Sequence, residues 1–69
     1  APYYALFEVK YIKKSEFGKE VLGEKVKEAR EQILKYVKAP ELKEMGNLLK
    51  WILVFCGDQL VYDELIGEG

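Results

Sequence analysis

Gly18 and Gly23, with four residues between them, follow a predicted strand and open a predicted helix, the setting in which a glycine-rich turn cradles phosphate. That chemistry also needs lysine and then a hydroxyl residue after the second glycine. Glu24 and Lys25 stand there instead, and a carboxylate repels phosphate. Asp58, Asp63, Glu64 and Glu68 offer oxygen ligands of the kind magnesium and calcium take, but their spacing matches no calcium loop. Cys56 has no basic neighbour in sequence to activate it as a nucleophile, and Ser15 has no apparent base. The chain contains no histidine, which excludes a Cys/His pair, a Ser/His/Asp triad and the common zinc sites. No catalytic residue, metal ligand or cofactor is nominated on this basis, and the expectation is a protein that is not an enzyme.

Rings and lysines form the remaining chemical pattern. Tyr3, Tyr4, Phe7, Tyr11 and Trp51 fall on predicted strands, with Lys10, Lys13 and Lys14 near the end of the first. Single-stranded nucleic acid stacks its bases on such rings while lysines follow its phosphates. Tyr4, Tyr11, Lys10, Lys13 and Lys14 are the candidates for that function. Eleven basic residues against 12 acidic ones give no positive field, which argues against nucleic acid as a partner.

The elements that must position these residues are few. Residues 3–12 alternate in the manner of a strand. Residues 19–38 carry apolar side chains at Val21, Leu22, Val26, Ala29, Ile33, Leu34 and Val37, the stripe of an amphipathic helix. Ser15 is a candidate N-cap. Gly23, inside the helix, implies close packing or a bend. Ala39-Pro40 ends the helix, and Pro40 opens a short second one over residues 40–45, anchored by Leu42 and Met45 and ended by Gly46-Asn47. Two apolar runs then flank Gly57-Asp58, which reads as a two-residue hairpin turn.

With that turn, Phe55 faces Leu60, Leu53 faces Tyr62 and Trp51 faces Glu64 on the side expected to meet the helix. Tyr4, Leu6, Ile12, Ile52, Val54 and Val61 then fall on the side the helix leaves open, and a second copy of the chain is the simplest cover for them. The expected fold is α+β, a β-α-(short α)-β-β order with a three-stranded, mainly antiparallel sheet and one long helix on one face. This order resembles a truncated ferredoxin-like unit, a resemblance that implies a last strand inserted between the first two.

The 69 residues make one domain, 1–69, small enough to need a supplement to its core, and one cysteine cannot supply a disulfide within the chain. Oligomerisation is the supplement left. No apolar run approaches the roughly 20 residues of a membrane span, and Ala-Pro-Tyr-Tyr does not resemble a leader, so the expected location is the cytoplasm. Ten glutamates and ten lysines without threonine give a thermophile-like composition. The reading that results is a homo-oligomeric module, homodimer or larger, that binds a protein partner or small ligand, with single-stranded nucleic acid as the alternative.

Overall fold

The computed structural model describes residues 4–44 and 48–66. Strand β1 spans Tyr4–Ile12, helix α1 Lys19–Tyr36, helix α2 Pro40–Lys43, strand β2 Leu48–Cys56 and strand β3 Gln59–Ile66, with a 3-10 turn at Lys14–Glu16 before α1. The strands form one sheet in the order β1-β2-β3. The protein is a small α+β fold, a three-stranded mixed sheet with one long helix.

Two features of the expected sheet are corrected. β2, not β3, is central, and β1 pairs with it in parallel, Tyr4 opposite Leu48 through Ile12 opposite Cys56. Parallel neighbours require a crossover, which α1 provides. A central strand is apolar along its whole length, and this accounts for the nearly unbroken run of β2. The second correction concerns register. Phe55 opposes Leu60 and Cys56 opposes Gln59, as the turn implies, but Val54 opposes Tyr62 and Ile52 opposes Glu64. Val61 is the extra residue of a β-bulge there. A slip of one residue moves the rest of a strand to the other face, so Tyr62, Glu64 and Ile66 lie on the helix side.

The helix takes the opposite face from the one expected. Val26, Ala29 and Ile33 of α1 bury against Ile12, Ile52 and Val54, with Leu6, Val61, Tyr62 and Ile66 packed around them. The inward stripe of α1 is short and aliphatic, Ala29 being 0% exposed. It seats on the β-branched side of the sheet, whereas the rings of the other side would hold it away. Leu6, Ile12, Ile52, Val54 and Val61, expected on an open contact surface, therefore belong to the core or its margin. The uncovered side carries Phe7 stacked on Trp51 with centroids 5.9 Å apart, and Tyr11 on Phe55 at 5.7 Å.

Local details refine the helix limits. Ser15 lies in the 3-10 turn, and Gly18 is the N-cap of α1, with no side chain capping it. The last helical residue is Tyr36. Ala39 is extended before Pro40, as proline demands of its predecessor. Gly23 is exposed, and a Cβ there would meet nothing within 4 Å, so close packing does not explain it. Gly57 has φ +61°, a left-handed conformation that glycine adopts without cost, and the Lys14 stem lies across it. Met45, Gly46 and Asn47 lie outside the described residues. Among the described residues no helix is long and apolar enough to cross a membrane.

Candidate functional site

On β1, Leu6, Glu8, Lys10 and Ile12 project to the helix side, and the middle two are charged. Residues two apart in a strand share a face, and Lys10 Nζ comes to 3.5 Å from Glu8 Oε2. Both side chains are largely withdrawn from water, Glu8 at 14% exposure and Lys10 at 23%. Charges at such depth persist when they are paired. Helix α1 extends the pairing: Glu28 Oε1 lies 4.0 Å from Lys10 Nζ and 3.8 Å from Lys25 Nζ. Strand and helix together hold four alternating charges along the β1 flank of α1.

The β3 flank carries a second polar cluster. Arg30 Nη2 donates to Glu64 Oε1 at 2.6 Å, and the Tyr62 hydroxyl donates to the same oxygen at 2.7 Å. The hydrogen bond from Tyr62, then that from Arg30, holds the Glu64 carboxyl below its ordinary value against the opposing effect of burial. Tyr62 is raised, chiefly by the same hydrogen bond, and Arg30 is raised by its bond to Glu64. Beside this cluster is an apolar cleft of about 270 Å³ lined by Arg30, Ile33, Leu34, Glu64 and Ile66. Since β2 separates the edge strands, the two clusters lie on opposite flanks of the helix.

The residues singled out for nucleic acid do not share one surface. Tyr4 and Lys10 belong to the helix side of β1, and Tyr11 to the open side, where it is 69% exposed. Lys13 and Lys14 are exposed beyond the strand end. The carboxylates named for a metal are also dispersed: Asp58 is in the hairpin turn, while Asp63 and Glu64 point to opposite faces of β3. Glu68 lies outside the described residues. Among the described residues no group of three histidine, cysteine, aspartate or glutamate side chains converges on a metal position. Cys56 is buried and free.

Glu8, Lys25, Glu28, Arg30 and Tyr62, the members of these two clusters besides Lys10 and Glu64, were not singled out in the sequence. The available signal for Glu8 and Lys10 was a carboxylate and a lysine two residues apart inside an otherwise apolar strand.

A family model described as the PD-(D/E)XK nuclease superfamily matches residues 1–65. No curated protein and no solved structure matches the chain. The family match overturns the expectation of a non-enzymatic binding module. Two segments fit the acid-x-lysine part of the pattern in the family's name, Glu8-Val9-Lys10 and Glu41-Leu42-Lys43. The second lies on α2, where side chains two residues apart diverge around the helix. Only the strand segment brings its two charges together. Over nearly its whole length, then, the chain belongs to the PD-(D/E)XK nuclease superfamily.

Proposed function

We propose that this chain contributes the acid-and-lysine half of a site that hydrolyses phosphodiester bonds in nucleic acid. The observation that carries this reading is the Glu8–Lys10 pair, 3.5 Å apart and largely withdrawn from water, within the span the family model matches. In hydrolysis a water oxygen attacks phosphorus, the ester P–O bond opposite it breaks, and the departing ester oxygen takes a proton from solvent. The Lys10 ammonium donates to a non-bridging phosphate oxygen and offsets the charge that grows there. Its partial burial strengthens that effect, because a charge acts through a lower effective dielectric away from bulk water. Glu8 accepts the proton of the attacking water or serves as a ligand to a divalent cation.

A divalent cation, when bound, supplies Lewis acidity and a more acidic water. Such an ion takes about six oxygens or more. The described residues bring Glu8 but no converging set of three, and no Pro-Asp pair occurs in the sequence, since Pro2 precedes Tyr3 and Pro40 precedes Glu41. Glu8 is thus a single protein ligand, and waters and substrate phosphate oxygens would complete the shell of such an ion. The lysines of this flank, Lys10 and Lys25, are balanced by Glu8 and Glu28, so phosphate binding there depends on local contacts rather than on a net positive field.

Cleavage of labelled DNA and RNA, single-stranded and duplex, with magnesium present tests the reading. The protein is expected to cut at least one of them, with Glu8→Gln slower by about 100-fold or more. Equal rates for the two proteins, or no cleavage of any of the four, would overturn it.

A further inference from the structure

One oxygen of Glu28 stands between two ammonium groups carried by different elements. Its Oε1 is 4.0 Å from Lys10 Nζ on β1 and 3.8 Å from Lys25 Nζ on α1. Two lysines converging on one anionic oxygen form the arrangement that receives a phosphate oxygen, each ammonium acting as a compact charge with three donors. The contacts to Glu28 are long, since a charge-assisted hydrogen bond closes to about 2.7–2.9 Å. Glu28 therefore neutralises the pair without using its donors at short range. It is also the most exposed of the three side chains, at 52% against 35% for Lys25 and 23% for Lys10. The carboxylate has water to turn into, whereas Lys10 is held on its other side by Glu8 at 3.5 Å.

We infer that Lys10 and Lys25 form a subsite for a backbone phosphate of the substrate, and that Glu28 is an internal anion occupying this subsite until the phosphate displaces it. The inference rests on the nucleic-acid reading above and deepens it, adding Lys25 as a second phosphate contact and Glu28 as a built-in competitor. Lys25 and Glu28 are three residues apart on one face of α1, so the helix presents the lysine and its placeholder together to the strand that carries Lys10. Exchange of one anion for another leaves both ammonium groups compensated in either state. Substrate affinity is then set by how much better a phosphate satisfies the two lysines than Glu28 does.

The test is anisotropy of labelled single-stranded and duplex oligonucleotides with the wild-type protein, Glu28→Gln, Lys25→Ala and the double variant, at low and high salt. Loss of the competitor is expected to tighten binding in Glu28→Gln by about three- to five-fold, the scale of one exposed ion pair. The gain should shrink as salt screens it. Lys25→Ala should weaken binding by a similar factor, and adding Glu28→Gln to it should recover little, because one of the two lysines is gone. Unchanged or weaker binding by Glu28→Gln, or wild-type binding by Lys25→Ala, overturns the subsite. If oligonucleotides bind and Glu8→Gln slows their cleavage while Glu28→Gln binds like wild type, the subsite fails alone. If no oligonucleotide binds at all, the nucleic-acid reading fails with it.

Discussion

Glu8 and Glu64 oppose the same residue of the central strand, Ile52, from its two sides, yet they belong to different chemical neighbourhoods. Glu8 meets Lys10, with Glu28 and Lys25 beyond it, whereas Glu64 accepts from Arg30 and Tyr62. Ile52 itself is 0% exposed beneath α1. The helix thus divides the charged side chains of one sheet face into a flank proposed for chemistry and a flank that pins helix to edge strand.

The pinning role gives a pH dependence. The folded state holds the Glu64 carboxyl below its ordinary 4.5, so its contribution is complete above that value and is lost as pH falls through the lowered one. Glu64→Gln should melt below wild type at pH 7, and the difference should close under more acid conditions. Melting curves between pH 3 and 8 check this. A gap that widens in acid would contradict it. Tyr62, raised above its ordinary 10.0, keeps its share through this range and loses it only in stronger alkali.

Two glycines should respond in opposite directions. Gly23 sits in regular helix facing open space, so Gly23→Ala should stabilise by about 0.5–1 kcal/mol and raise the melting point by a few degrees. Gly57 adopts φ +61° under the Lys14 stem. Gly57→Ala should cost about 1–2 kcal/mol through the left-handed backbone alone, and Lys14 must also move. Denaturant titration of both variants separates the cases.

Val54, 0% exposed under α1, distinguishes core from contact surface. A carboxylate there would have no partner, and a chain of this size has roughly 3–10 kcal/mol of stability to lose. Val54→Asp should therefore lose cooperative unfolding, while the apolar Val54→Ile, one methylene larger, or a change at exposed Phe7 should keep it. A folded Val54→Asp protein with altered association would instead restore the contact-surface expectation.

Much of the fold was legible where the signal is local. The stripe through Val26, Ala29 and Ile33 marked α1, Gly57-Asp58 marked the hairpin, and Pro40 marked a break. Register and facing were not legible, because both rest on the bulge at Val61 and on which apolar side of the sheet the helix selects. With the stacked rings Phe7, Trp51, Tyr11 and Phe55 on one side and mainly aliphatic residues on the other, hydrophobicity does not distinguish them, and shape does. The candidate site followed the same division. Lys10 was noticed as a lysine near rings, but Glu8 gains meaning only when both are seen on the covered side of β1, within reach of Glu28 on a helix folded back over it.

The most direct measurement compares Glu8→Gln and Lys10→Met with the matched changes Glu41→Gln and Lys43→Met, using cleavage of one nucleic-acid substrate at saturating protein. The strand variants should each slow the chemical step by about 100-fold or more, and the α2 variants should cut at the wild-type rate. Equal loss in both pairs, or loss confined to Glu41 and Lys43, would contradict the assignment of the acid-x-lysine pair to β1.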